Sequence, residues 1–281
     1  MWFFFLFLSA LLPQGLSQVN VYRAEKTLYH PVIDGSVSDE AWARASWSRA
    51  FVDIRGPEWP TPRHRTRMKL LWDDQFLYVA AELEEPHLWA TLSSRDAIIY
   101  RDDDFEVFLD PEGDGVSYFE VEINALGTIL DLFMDKPYRE GGRAKILWDL
   151  PGLLSGVALQ GTLNDPSDQD LGWTVELAIP WAELVPPEEG GGSAAHTVGP
   201  GPPKPGEEWR VNFSRVDWPL EVFRDPSSGE LAYEKNGRPG PENRHPEENW
   251  VWSPQGEINM HIPSRWGIVQ FVDTRTEGTE G

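Results

Sequence analysis

The 281-residue sequence predicts an all-β protein: a single jelly-roll-like antiparallel β-sandwich with one or two short helices and two long Pro/Gly-rich loops. Three observations point there. Alternation of apolar and polar residues recurs in eight short runs, the spacing of half-buried strands. Turn signals separate the runs: Asp34-Gly35, Asp73-Asp74, the stretch Asp110 to Gly115, and Asn236-Gly237. Helical periodicity is scarce, and a 40% hydrophobic content is ample for one sizeable core.

The chain opens on an uncharged apolar run at 2–12, WFFFLFLSALL, too short to span a bilayer as a helix and followed by Pro13, Gly15 and Ser17. It reads as a secretory signal peptide over 1–17, with small residues placed for cleavage before Gln18. The mature chain is then secreted, extracellular or periplasmic, and without a membrane span. The bland alternative is a buried N-terminal strand. A short helix is expected over Ser38 to Ala45, where Ser38 is placed to cap it and Asp39 and Glu40 suit its first turn, and a shorter turn over Pro180 to Leu184. The strand-like runs are Met68 to Trp72, Phe76 to Leu83, Phe105 to Leu109, Tyr118 to Phe133, Gly156 to Leu163, Trp173 to Ile179, Trp209 to Phe213 and Gly267 to Val272. Two loops, 186–206 with its GGG and the polar 224–249, leave the sandwich without enough strands after Glu208 for a second core. One domain over 18–273 and a disordered tail over 274–281 complete the organisation.

Composition excludes several functions. Lys and Arg number 24 against 46 Asp and Glu, a net charge of −22, so phosphate backbones are repelled and nucleic acid is a poor partner. With no Cys there is no disulfide framework, no thiolate zinc site and no thiol nucleophile. The six His show no metal-ligand spacing. His261 reads as a structural hydrogen-bonder. Fourteen Trp suggest half-buried platforms as well as core.

The most informative stretch is YRDDDFEVFLDPEGDGVSYFEVEIN, Tyr100 to Asn124. Alternation puts Phe105, Val107 and Leu109 on one strand face and Asp104, Glu106 and Phe108 on the other; after the turn, Glu120, Glu122 and Asn124 oppose Phe119, Val121 and Ile123. If the strands pair with both odd sets inward, Glu106 faces Glu120 or Glu122. Carboxylates about 5 Å apart repel by roughly 3 kcal/mol at an effective dielectric near 20. A sheltered face therefore needs a cation, an Arg or Lys, a proton or ligand hydroxyls, whereas a solvated face needs none. Asp110 and Asp114 in the DPEGDG turn are weak metal candidates, the competing reading being an ordinary hairpin turn.

These residues resemble carbohydrate-binding module family 9. VIDGSVSDEAW (Val32 to Trp42), LLWDDQFLYVAAEL (Leu70 to Leu83), DDDFEVFLDP (Asp102 to Pro111), GWTVELAIPWAEL (Gly172 to Leu184), WRVNFSRVDW (Trp209 to Trp218) and RWGIVQF (Arg265 to Phe271) follow in the family's order. The resemblance implies a jelly-roll-like sandwich that holds sugar between aromatic side chains, often with structural calcium and no required cofactor. It places Tyr100 where the family has one of two clamping Trp, and Glu106 at its hydroxyl-binding carboxylate. A basic sugar contact is replaced near Glu122, and the second clamping position is Met260, for which Trp250 or Trp252 is the expected substitute.

The resulting ligand-binding candidates are Tyr100, Glu106, Glu122, Trp250 and Trp252. Trp42, Trp72, Trp173, Trp181, Trp209 and Trp266 are expected in the core, with Trp59, Trp89 and Trp218 as further platform candidates. The expected function is secreted, non-catalytic carbohydrate binding, with neutral or amino sugars favoured over anionic ones. Two alternatives stand beside it: a glycoside hydrolase using paired Glu, and a calcium-stabilised structural or interaction sandwich.

Overall fold

The computed structural model describes residues 19–187, 201–235 and 247–274. The expected signal peptide, most of the first long loop, the Asn236-Gly237 turn and nearly all of the tail lie outside them. Fifteen strands are described: β1 (Val21–Lys26), β2 (Val52–Asp53), β3 (Thr66–Trp72), β4 (Phe76–Glu84), β5 (Asp104–Asp110), β6 (Tyr118–Asn124), β7 (Ile129–Met134), β8 (Ala144–Lys145), β9 (Leu154–Gln160), β10 (Gly172–Pro180), β11 (Glu208–Asp217), β12 (Leu220–Arg224), β13 (Leu231–Lys235), β14 (Glu248–Val251) and β15 (Gly267–Val272). All helical segments among the described residues are short 3-10 turns.

Thirteen strands form one curled sheet in the order β8-β7-β6-β5-β11-β15-β1-β3-β4-β10-β9, with β14 on β11 and β2 on β14. The curl brings two layers face to face. Phe105, Val107 and Leu109 of β5 and Phe119, Val121 and Ile123 of β6 enter the same core as Met68 and Leu70 of β3, Val79 and Ala81 of β4, and Val175 and Leu177 of β10. The odd-inward parity read from the sequence thus holds in both acidic strands. The six Trp expected in the core are all buried, and Trp181, Trp209 and Phe271 pack edge to face at 5.2–5.8 Å.

Pairing is antiparallel except at β1, which runs parallel to both β15 and β3. No hairpin joins β1 to either neighbour, so no turn dictates an antiparallel register. The expected run Tyr118 to Phe133 is two strands, folded back at Gly127 in the left-handed region (φ 78). The polar stretch 224–249 is not loop throughout: β13 pairs β12 as a separate hairpin, whose Tyr233 hydroxyl donates to the Asp165 carbonyl at 2.9 Å.

The segment expected to be helical is a single 3-10 turn, Glu40–Arg44, preceded by Asp39 rather than Ser38. It makes no side-chain cap, because the Asp39 carboxylate accepts from the Val32 N–H at 2.6 Å. The buried Glu176 fixes this segment to the sheet. One of its oxygens accepts from the Trp42 indole at 2.6 Å and the other from the Gly35 N–H at 2.8 Å. Gly35 has φ 89 and lies so near β9 that a Cβ would sit 2.4 Å from the Val157 carbonyl carbon.

Candidate functional site

β11 is the longest strand, and its two ends have different partners along one edge. Glu208 to Val211 pair with β15, whereas Ser214 to Asp217 pair with β14. Where the sheet divides, the outer face of β5, β6 and β7 is roofed by loops and forms a cleft of about 730 Å³. Its floor follows from strand register. Glu106 lies opposite Glu122, Phe108 opposite Glu120, and Leu130 and Leu132 of β7 continue the same rows.

The expected pairing of Glu106 with a carboxylate on β6 is therefore present, and the face is sheltered. Glu106, Glu120 and Glu122 are only 4–5% exposed, and Asp104, one alternation along β5, is wholly buried. Among the described residues, no Lys or Arg forms an ion pair with any of these four. Burial consequently dominates their protonation. It pushes Glu106 up to about 7, and burial with the neighbouring Glu charges holds Glu120, Glu122 and Asp104 well above the usual carboxylate range. Two local bonds temper this: Glu122 accepts from the Tyr100 backbone N–H at 3.0 Å, and one Asp104 oxygen from Val216 N–H at 3.0 Å. Oδ2 of Asp104 and Oε2 of Glu120 are buried with no partner.

Aromatic side chains from three separate loops line the rim. Tyr100, on the 3-10 turn Ile99–Arg101, is 45% exposed, and Tyr138, on the turn Tyr138–Glu140, is 49% exposed. Trp218 follows β11 and is fastened twice, its backbone N–H donating to Asp103 at 2.7 Å and its indole N–H to the Tyr100 carbonyl at 2.9 Å. Partial burial, with the neighbouring Glu120, Glu122 and Tyr100 adding to it, raises the Tyr138 hydroxyl to about 12. Beneath it lies His261, whose ring meets Tyr138 edge to face at 4.5 Å and whose Nδ1 bonds the Tyr118 hydroxyl at 2.9 Å. Burial lowers His261 to about 4, so it is neutral at physiological pH. It has the structural role expected of it.

Of the sequence candidates, the structure brings Tyr100, Glu106 and Glu122 into one cleft and keeps Trp250 and Trp252 out of it. The two Trp are 2% and 3% exposed in the main core. Trp252 packs edge to face on Phe213 at 5.8 Å, and Trp250 lies under the Arg215 guanidinium at 5.0 Å. Antiparallel pairing of β14 with β11 sets Trp250 beside Arg215, on the inward row, so neither ring replaces a platform at Met260. Met260 is itself buried, and its carbonyl accepts the Trp266 indole N–H at 2.7 Å. Of the further platform candidates, Trp218 reaches the cleft. Trp89 instead sandwiches the Lys235 ammonium with Trp218, each ring centroid at 4.2 Å, and Trp59 is stacked by Arg55 at 3.5 Å.

Asp110 and Asp114 are also used locally. Asp110 accepts from the N–H groups of Gly113 and Gly115 at 2.8 and 2.9 Å, and Asp114 from Val116 N–H at 3.0 Å, the pattern of a capped hairpin turn. The rim residues Tyr138 and His261 were not among the sequence candidates, because alternation within strands carries no information about which loops converge above them.

The fold has relatives. Solved modules of family 9 from Caldicellulosiruptor kristjanssonii, one in complex with cellotriose and one with glucose, superpose with TM-scores of 0.52 and 0.50 at 18% and 19% identity. They cover 90% and 89% of this chain and 94% and 96% of theirs. A Bacteroides uniformis protein superposes with a TM-score of 0.61 at 16% identity, over 90% of this chain and all of its own. In sequence, the chain is 27% identical over 157 residues to endo-1,4-beta-xylanase A of Thermoanaerobacterium saccharolyticum, and 26% identical over 156 residues to exoglucanase XynX of Acetivibrio thermocellus. These stretches take up 56% and 55% of this chain but only 11% and 12% of those much longer proteins. Residues 33–199, more than half of the chain, match the carbohydrate family 9 binding domain-like family, and the chain belongs to it.

Proposed function

We propose that the cleft over β5, β6 and β7 binds carbohydrate and leaves it chemically unchanged. One observation carries this reading: exposed Tyr rings at the rim stand directly above a floor of hydrogen-bonding carboxyl groups. A pyranose offers apolar C–H faces to a ring and hydroxyls to acceptors at its edge, so the two kinds of surface suit one ligand. The cellotriose and glucose complexes of the Caldicellulosiruptor modules favour neutral glucose-based sugars, and the net charge of −22 disfavours anionic ones. Against hydrolysis, Glu106 and Glu122 are neighbours on one floor and approach a sugar from the same side, whereas glycosidase carboxyl groups flank the scissile bond. Export fits the same reading, with residues 1–17 as the signal peptide and the polymer met outside the cell.

Isothermal titration with glucose and cellotriose tests this. Binding is expected, and Tyr100→Ala, an exposed substitution with little effect on stability, weakens it by about tenfold, the loss of roughly 1.4 kcal/mol of ring contact. Failure of the wild-type chain to bind any neutral or amino sugar in a glycan panel overturns the proposal. Release of reducing ends during incubation overturns its non-catalytic part.

A further inference from the structure

Three groups of acidic or His side chains among the described residues bring one ligand atom each within 4.8 Å of the others: His64, Glu85 and Asp217; Asp96, Asp131 and Asp149; and Asp104, Glu106 and Glu122. The first two already contain a protein cation. Arg215 bonds Glu85 at 2.5 Å and Asp217 at 2.6 Å, and Arg95 bridges Asp131 at 2.5 Å and Asp149 at 3.1 Å. The third group has no Lys or Arg partner among the described residues, although its members are the most deeply buried of the three sets. One of its oxygens, Oδ2 of Asp104, is buried without any hydrogen-bond partner, an arrangement that is costly for a polar atom and calls for a ligand.

We propose that Asp104, Glu106 and Glu122 hold one divalent cation of the calcium type in the floor of the cleft, with its open coordination positions facing the bound sugar. Two oxygens on one calcium at about 2.4 Å lie no more than ~4.8 Å apart, the limit that this triad meets. Carboxylate oxygens are the hard ligands calcium takes, and three of them leave positions free in a shell of six to eight. Asp104 closes the site from below. Glu106 and Glu122 line the cleft itself, so the remaining ligands come from that side, as water or as vicinal sugar hydroxyls. The cation supplies the positive charge that the floor lacks. The sugar-facing part of this inference rests on the carbohydrate reading above; the cation site stands independently of it.

The test uses the full chain, stripped with chelator and titrated with calcium alone, then with cellotriose in calcium and in EDTA. Wild type is expected to take up one equivalent of calcium more than Glu122→Gln, whose affinity at that site falls at least about tenfold. Glu122→Gln keeps the shape of the residue and relieves repulsion, so its melting temperature in EDTA is expected to be no lower than that of wild type. Asp104→Asn, which removes the unpartnered carboxylate, gives an independent second measurement. Equal calcium uptake by wild type and both variants overturns the cation site and leaves protons as the neutralising species. Cellotriose affinity at least tenfold weaker in EDTA supports the sugar-facing role, and equal affinity in EDTA and calcium overturns it while the carbohydrate reading stands. Absence of cellotriose binding in both buffers overturns the carbohydrate reading and with it the sugar-facing role, while the calcium titration still decides the site.

Discussion

Arg215 offers the sharpest test of what holds the sheet together behind the cleft. Its guanidinium is wholly buried and donates to Glu85 at 2.5 Å, Asp217 at 2.6 Å, the Glu84 carbonyl at 2.8 Å and Thr66 Oγ1 at 3.2 Å. Replacing it by Met preserves bulk and removes the one fully buried cation beside Glu85 and Asp217 among the described residues, leaving half-exposed Arg63 as a partner of Asp217. Breaking one partner from a buried ion pair costs about 3–5 kcal/mol. At about 2–4 °C per kcal/mol for a domain of this size, the Arg215→Met variant melts roughly 6–20 °C lower at pH 7 in calorimetry.

The pH dependence of that loss identifies its origin. Burial already raises Glu85 to about 7 against the pull of Arg215, and burial opposed by Arg215 and Arg63 leaves Asp217 below its usual range. Without Arg215 both carboxyls titrate higher when folded than when unfolded, so the folded variant holds more protons than its unfolded chain. The deficit relative to wild type is therefore largest at pH 8 and narrows toward pH 5. A loss below about 1 kcal/mol at pH 7, or a deficit that does not narrow on acidification, would refute the assignment of Arg215 as the internal counter-charge.

Three further outcomes are expected. His261 is held near 4 by burial, so the unfolded chain protonates first and stability present above pH 6.5 is lost as pH falls toward 4. In urea melts at pH 7 and pH 4.5, a His261→Gln variant loses less between the two, by up to about 3 kcal/mol. Gly35→Ala forces a left-handed residue against β9 and lowers stability by roughly 2 kcal/mol or more in the same assay. Trp252→Ala removes a core ring and costs about 3–5 kcal/mol. Titration with cellotriose under conditions where that variant is folded gives wild-type affinity, because the ring lies outside the cleft.

Much of the fold was legible because a strand has a period of two. Alternation alone put Glu106 and Glu122 on the face away from the core, and a hairpin turn between them left few registers to choose from. The Trp residues divided less cleanly. Trp72 or Trp173 sits within a long alternating run that fixes its side, whereas Trp250 lies in a four-residue strand whose inward row is set only by pairing with the distant β11. The β12–β13 hairpin was hidden for a related reason: its strands are five residues each, none of them fully buried, and neither lies in the main sheet. Tyr100 was found through a family motif, while Tyr138 and the His261 beneath it come from loops far apart in the sequence, an outcome of tertiary packing.

The parallel seating of β1 has a consequence for how the chain folds. Residues 21–26 complete the sheet by lying between residues 66–72 and 267–272, so β1 must wait for a strand far along the chain. The contact that joins the two halves of the sheet is therefore separated by more than 240 residues. Such closure late in sequence makes for slow folding and a long exposure of unpaired strand edges.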